Sequence, residues 1–202
     1  MTRRSIVMLV PVVLSLVGGG LSGTARAAPA PPPVEGVITA LDAASITVFT
    51  RTGTSLRVLI SSDTRIVRRQ AARFDQIRPH DFVGVTAKRE PDGTLTAVSI
   101  NIFPPEFQGR VREGQFLMES GNLMTNAMVF QNVRRIEGRT LYLRFPEGTA
   151  VINVPGDAEI FRLTTMRFGE LRSGMRVVVR GTSTPDGSLA AGSLTVVDVP
   201  SR

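Results

Sequence analysis

A duplication inside the chain constrains its fold more than any other feature of the sequence. The tripeptide Pro91-Asp92-Gly93 recurs 94 residues later as Pro185-Asp186-Gly187. The same shift aligns further identical residues, among them Asp63 with Asp157, Ile66 with Ile160, Arg73-Phe74 with Arg167-Phe168, Val83 with Val177 and Leu95 with Leu189. Solenoid repeats have periods of roughly 20 to 50 residues. The longer period therefore predicts a duplicated domain.

Within each copy, apolar and polar side chains alternate in short runs separated by turn residues. Alternation with period two, rich in β-branched residues, is typical of half-buried antiparallel strands. Each copy also has one segment with the pattern of a short helical turn, at residues 70–77 and 166–171. Strands are predicted at residues 36–41, 45–51, 55–61, 64–68, 82–88 and 94–102, and again at 129–133, 140–145, 150–154, 159–163, 175–181 and 188–197.

Three strands, a helical turn and a closing hairpin in each copy predict an all-β fold of two small antiparallel barrels in tandem. This is the order of an oligonucleotide/oligosaccharide-binding (OB) type barrel, although an SH3-like barrel or a small open sandwich fits the same pattern. We expect each copy to close around its own core. The predicted domains are barrel repeat 1 at residues 34–103, a connector at 104–127 and barrel repeat 2 at 128–199.

The first 33 residues have the pattern of an export signal followed by a tether. Arg3 and Arg4 precede an uncharged apolar run that ends at the small-residue site Ala25-Arg26-Ala27. This pattern predicts a signal peptide at residues 1–27, cleaved after Ala27, and a periplasmic or secreted protein without a membrane span in its mature form. The paired arginines fit the twin-arginine route as well as the general secretory route. Residues 28–33 predict an extended Pro-rich tether.

Composition excludes several classes of function. The chain has no Cys and a single His, so disulfides, thiolate metal sites, cysteine nucleophiles and sites with two imidazoles are excluded. The net charge is +7, and removing residues 1–27 takes away three arginines and no acid, which leaves +4. The arginines are scattered and form no basic run, so we expect no nucleic-acid partner. We also expect no cofactor.

An aromatic-x-Arg triplet on the second predicted strand of each copy marks a candidate ligand face. The triplets are Phe49-Thr50-Arg51 and Tyr142-Leu143-Arg144, and alternation places Phe49, Arg51, Tyr142 and Arg144 on the outside of the barrels. Aromatic rings stack on sugars or bases, and Arg supplies charge and a hydrogen-bond fork. These residues predict binding of an envelope protein or an anionic glycan. Packing of one barrel against the other, or against the connector, is the alternative.

Three methionines in or just after the connector give a second hypothesis. Met118, Met124 and Met128 offer thioether sulfur, a suitable ligand for Cu(I) in an exported protein. They are weak metal candidates, because Met also fills irregular gaps in cores.

Nothing in the sequence indicates catalysis. His80 lies at a predicted turn with no serine in a nucleophile-elbow setting, and the matching position in the second copy is Gly174. Asp92 and Asp186 occupy matching turns, where Asp hydrogen-bonds its own backbone. We therefore predict no catalytic residues.

Several of these segments together resemble the bacterial exported domain of unknown function 5666. The resemblance lies in residues 36–42, 45–48, 63–66, 74–85 and 91–97, and less closely in residues 171–177 and 185–191 of the second copy. It implies two tandem repeats and an exported location, and it assigns no activity. The sequence as a whole predicts an exported, non-catalytic binding or interaction module of the cell envelope. The alternative is a periplasmic metal-handling accessory protein that uses the connector methionines.

Overall fold

A computed structural model describes residues 31–135 and 138–198, leaving out the side chains of residues 132–135. These residues form thirteen β-strands, all in one sheet, and three short 3₁₀ turns, so the predicted all-β fold is confirmed. The predicted signal peptide, residues 1–27, and the first part of the tether lie outside the described residues. In the described part of the chain, no helix has the length and apolar character needed to cross a membrane.

Most strand bounds follow the predicted period-two segments closely. The strands are β1 Val34–Leu41, β2 Ser45–Thr50, β3 Ser55–Leu59, β4 Arg65–Ala71, β5 Phe82–Arg89, β6 Leu95–Ile102, β7 Gly114–Leu117, β8 Leu123–Arg135, β9 Gly138–Phe145, β10 Gly148–Asn153, β11 Glu159–Thr165, β12 Arg176–Ser183 and β13 Leu189–Val197. Two differences from these segments lie in the predicted connector, where β7 was not predicted and where β8 begins six residues before its predicted start. The 3₁₀ turns are Phe74–Gln76, Pro105–Phe107 and Phe168–Glu170. The first and third of them lie inside the segments predicted to be helical turns.

Ten of these strands pair into two closed rings of five. Barrel 1 contains β1, β2, β3, β12 and β13, and a short parallel pairing of β3 with β13 closes it. Barrel 2 contains β5, β6, β8, β9 and β10, and a short parallel pairing of β6 with β10 closes it. Each barrel is therefore a three-strand meander completed by a two-strand hairpin.

The hairpin that completes each barrel comes from the other half of the chain, which corrects the expectation that each copy closes on itself. β1 pairs with β12, and β5 pairs with β8. Barrels thus do not coincide with the predicted ranges 34–103 and 128–199. The physical reason is that both closing hairpins have nearly the same alternation, so local patterns specify strands without specifying their partners.

Strands β4 and β11 connect the two barrels between which the hairpins are exchanged. Each is seven residues long, and they pair antiparallel between the two barrels, with β4 also parallel to β13 and β11 parallel to β6. Their register is symmetric: Arg69 faces Leu163, 94 residues later, and the pairs Arg68–Thr164 and Gln70–Arg162 exchange under the same shift. An approximate twofold axis therefore passes through the Arg69–Leu163 pair and relates the barrels.

Each barrel has its own apolar core built from both halves of the chain. The core of barrel 1 includes Ile38, Val48, Leu171 and Leu194, and the core of barrel 2 includes Ile77, Val85, Leu141 and Ile152, all at most 1% exposed. Ile77 and Leu171 follow equivalent 3₁₀ turns and cover equivalent barrel ends. The side chains that alternate with core residues point outward, and they form the outer faces on which a ligand can bind.

Candidate functional site

A groove with a volume of about 700 Å³ lies on the outer face of barrel 1, and it contains two of the four predicted ligand residues. We call it the arginine groove. Its lining residues are Glu35, Gly36, Val37, Phe49, Thr50, Arg51, Gly53, Arg69, Arg176, Val177, Val178 and Val197. They come from β1, β2, the β2–β3 turn, β4, β12 and β13, so both halves of the chain are needed to build it.

The floor of the groove is formed by the close approach of β1 and β2. Gly36 allows this approach, because a Cβ at this position would lie 2.3 Å from the carbonyl oxygen of Phe49. Phe49 projects outward as alternation predicts, and 49% of its surface is exposed. The groove therefore presents an accessible aromatic ring on a backbone that glycine keeps tightly paired.

Arg69 is the cation held most firmly in the groove. Its guanidinium carbon lies 3.5 Å from the centre of the Phe161 ring, and its Nε is buried without a hydrogen-bond partner among the described residues. A guanidinium stays protonated at any physiological pH and is less strongly hydrated than an ammonium group. Burying a charged donor without a partner is unfavourable. Arg69 as a whole is only half-buried and lines the groove, so an anion in the groove would contact its guanidinium.

Two further arginines give the groove an excess of positive charge. Arg51 forms an exposed ion pair with Glu35 at 3.0 Å, and Glu35 is the one acid among the lining residues. Arg176 is exposed at the start of β12. After Glu35 neutralises one arginine, two cationic groups remain for a ligand, and the aromatic face of Phe49 lies in the same groove.

The other predicted triplet lies elsewhere, on the outer face of barrel 2. Tyr142 is half-buried between Gln131 on β8 and Val151 on β10, and Arg144 lies over the ring of Phe130 at 4.5 Å. Neither residue lines the arginine groove. The structure therefore brings Phe49 and Arg51 into one site and leaves Tyr142 and Arg144 in another barrel.

The two triplets are also not equivalent positions. Val58 pairs with Ile46, whereas Ile152, 94 residues after Val58, pairs with Leu141. Ile46 and Leu141 thus correspond at a shift of 95 residues, which puts Arg144 at the place of Phe49. The two aromatic-x-Arg triplets are therefore two residues apart in this register, because the β9–β10 hairpin has a shorter turn than the β2–β3 hairpin.

Sequence reasoning missed Arg69 and Arg176. They sit on β4 and β12, which reach this face only because the halves exchange hairpins. No local sequence pattern indicates which hairpin pairs with which half of the chain.

The predicted methionines lie along the connector side of barrel 2. Met124 pairs with Phe116 on β7 and with Thr86 on β5, and Met128 pairs with Phe82. Met118 lies in the β7–β8 turn, where its N–H donates to the carbonyl of Asn122 at 2.8 Å. Met124 and Met128 are four residues apart on one strand, about 13 Å along it, and project in parallel. The metal-handling hypothesis stays a prediction.

The residues considered for catalysis occupy turns. His80 is exposed and adopts a positive φ of 71°, and Gly174, its counterpart, has a φ of 87°. Hydrogen bonds from Thr184 and Ser188 lower the pKa of Asp186 to about 2, and those from Thr94 lower the pKa of Asp92. Both carboxylates accept bonds within their own turns, as the turn interpretation predicts. No group of three or more His, Asp or Glu side chains that could hold a metal ion occurs within the described ranges.

Comparison with known families gives a match to about a third of the chain. Residues 35–101 match the model of a family described as Domain of unknown function (DUF5666). These residues span β1 to β6 and supply the larger part of the arginine groove. No curated protein and no solved structure matches the chain.

Proposed function

We propose that this chain is an exported, non-catalytic binding module of the cell envelope, and that the arginine groove holds an anionic ligand with a flat or apolar part. The observation that carries the proposal is the half-buried guanidinium of Arg69, stacked on the Phe161 ring in a groove that also exposes Phe49. Arg69 would bind the anion, and Phe49 would stack on the apolar part.

The energetics favour a site prepared before the ligand arrives. Stacking on Phe161 already restricts the Arg69 side chain, so ligand binding would cost less side-chain entropy than ordering a free arginine. The Arg51–Glu35 pair is exposed, with side chains 79% and 46% accessible, and pairs of this kind contribute at most about 1 kcal/mol. A carboxylate or phosphate ligand can therefore compete with Glu35 for Arg51.

The finer description of the fold belongs to the same proposal. We take each barrel to be OB-like, since a three-strand meander completed by a hairpin follows the strand order of that barrel type. We take the two halves to be copies of one repeat, supported by the symmetric register about Arg69 and Leu163. The sequence pattern that predicts an export signal at residues 1–27 supports the location, and the turn positions of His80, Asp92 and Asp186 support a non-catalytic role.

An NMR titration of the full chain tests the proposed site. Carboxylate-bearing ligands, such as a galacturonate trisaccharide and a muropeptide, should shift the backbone amides of Gly36, Phe49, Arg51 and Val178. Arg176→Glu should weaken binding by at least about tenfold, since a hydrogen bond to a charged group contributes about 1.5 to 3 kcal/mol.

Arg180→Glu is the matched control, because Arg180 lies on the same strand, is exposed, and does not line the groove. It should change the affinity less than twofold. Equal losses of affinity in the two variants would mean that the ligand is attracted by the overall charge of the protein and not by the groove. Unmoved groove amides across the panel at millimolar ligand would refute the proposed site.

A further inference from the structure

On barrel 2, the face that corresponds to the arginine groove is covered by the chain itself. The ring of Phe103 lies 5.3 Å from that of Phe82 and 5.9 Å from that of Phe107, measured between centroids. A Cβ on Gly84 would lie 2.7 Å from Cζ of Phe103, so the ring rests directly on the strand. The covering segment is Phe103-Pro104-Pro105-Glu106-Phe107, which follows β6.

The register shows that the two faces correspond. Phe82 pairs with Met128 on barrel 2, and Arg176, 94 residues after Phe82, pairs with Val37 on barrel 1. The next outward pairs are Gly84 with Asn126 and Val178 with Glu35. Val37, Arg176, Val178 and Glu35 all line the arginine groove. The groove is thus the barrel 1 counterpart of the face beneath the connector.

Exposure differs sharply between the two faces. Phe82 is 3% exposed and Asn126 is 8% exposed beneath the connector. Their counterparts Arg176 and Glu35 are exposed, and no described segment of the chain covers them. An outer barrel face of this shape accepts an extended polypeptide segment in one half of the molecule and lies open in the other.

The open face differs in charge from the covered one. Arg176 replaces Phe82, and Arg69 stands at the twofold-related position of Leu163. Glu35 replaces Asn126 but is paired with Arg51. A segment that fits the open face must therefore carry carboxylates where the connector meets apolar groups, while Phe49 offers an aromatic contact.

We propose that the arginine groove docks an extended segment of a partner protein in which aromatic residues alternate with acidic ones, in the manner of the connector segment on barrel 2. This inference rests on the proposed function and names its ligand class. Docked aromatic side chains would pack on Phe49 and the apolar floor, and the acidic ones would pair with Arg69 and Arg176.

The segment docks through side chains rather than by adding a strand. On barrel 2 the connector continues into β7, which pairs with Leu123–Asn126 of β8. The corresponding stretch of barrel 1 begins with Pro32 and Pro33, which have no N–H group to donate. A strand pairing like that of β7 is therefore blocked on barrel 1. The proposed partner segment corresponds instead to the aromatic part of the connector, which packs through its side chains.

Fluorescence anisotropy with labelled peptides and the full chain tests the inference. The probe is FPPEFEE, which is the connector sequence with two added glutamates. We expect saturable binding that falls at least tenfold for APPEAEE, in which the phenylalanines are lost, and for FPPKFKK, in which the charge is reversed. Phe49→Ala and Arg176→Glu should each weaken FPPEFEE binding at least tenfold.

Phe130→Ala and Arg180→Glu are matched controls, since Phe130 is 55% exposed on barrel 2 and both residues lie outside the groove. They should bind the peptide as the unaltered chain does. Galacturonate binding at the groove without peptide binding would overturn this inference and leave the proposed function standing. Failure of both ligands would overturn both. Nuclear Overhauser contacts between the groove and residues 199–202 would show that this segment of the same chain occupies the groove. That result would overturn the proposal of a partner protein.

Discussion

Asp186 shows how a single side chain can hold a closing hairpin. Its carboxylate accepts hydrogen bonds from the hydroxyl groups of Thr184 and Ser188, the latter at 2.8 Å, in the turn between β12 and β13. These bonds stabilise the ionised form and place the pKa of Asp186 at about 2, below the usual 3.8. The ionised Asp186 carboxylate therefore stabilises the turn of the β12–β13 hairpin at neutral pH.

Because this pKa is lower in the folded than in the unfolded chain, the carboxylate stabilises the fold above about pH 4, and the contribution disappears as the pH falls towards about 2. Asp186→Asn should be less stable than the unaltered chain at pH 5, with the difference vanishing near pH 2. Urea midpoints at both pH values measure this. Thr184→Val, which removes the largest cause, should raise the pKa of Asp186 in an NMR titration. A carboxyl that titrates near 3.8 in the unaltered chain would contradict the account.

At the residue scale, the sequence was informative wherever backbone geometry demanded a residue type. His80 and Gly174 align at the duplication shift, and both adopt positive φ. The Pro-Asp-Gly turns were likewise identifiable from composition. Arg69 was not, because its importance depends on the Phe161 ring, which β11 brings alongside β4.

Most strands are specified by period-two alternation, and this explains why their bounds were predictable, whereas β8 begins six residues before its predicted start. β7 escaped notice because four residues are too few to establish a period. Register within the sheet was harder to predict, since Phe130 forms a bulge in β8 and shifts the pairing with β9. The β9–β10 turn, which is shorter than the β2–β3 turn, places Arg144 at the position that corresponds to Phe49, so Tyr142 and Phe49 do not occupy equivalent positions.

The close pairing of β1 with β2 is the structural feature on which the groove floor depends. Gly36→Ala introduces a Cβ 2.3 Å from the Phe49 carbonyl oxygen, and overpacking of this kind lowers the free energy of unfolding by about 1 to 3 kcal/mol. Chemical denaturation measures the loss. Gly192→Ala in β13 is the control, because its nearest heavy atom would be 3.8 Å away and its stability should stay within about 0.5 kcal/mol or rise. Equal effects at the two glycines would show that β1 and β2 are not closely paired.

At the scale of the whole molecule, the exchange of hairpins is what local sequence patterns cannot specify. Each half presents nearly identical edges to either hairpin, so the partner is selected by the path of β4 and β11 and by their mutual pairing over five residue pairs. The residues that recur at a shift of 94 were visible in the sequence, whereas the exchange of hairpins was not. It has a functional consequence, since the arginine groove takes Phe49 from one half and Arg176 from the other.

The exchange also gives the two outer faces different environments. The chain passes from β6 through the connector before β8, and this path covers barrel 2. On barrel 1 the corresponding face stays open among the described residues. The two barrels thus present one face covered by the chain and one face that is open among the described residues.

Disulfide trapping in this cysteine-free chain tests the exchange most directly. Thr86 and Met124 are paired across β5 and β8, and the neighbouring Cα atoms of antiparallel strands lie at distances that a disulfide spans. Thr86→Cys with Met124→Cys should form an intramolecular disulfide in the monomer, identified by mass spectrometry after proteolysis. Met124→Cys with Arg180→Cys, the pair expected if each half closed on itself, should stay reduced. Efficient bonding of the second pair with none in the first would contradict the exchanged fold.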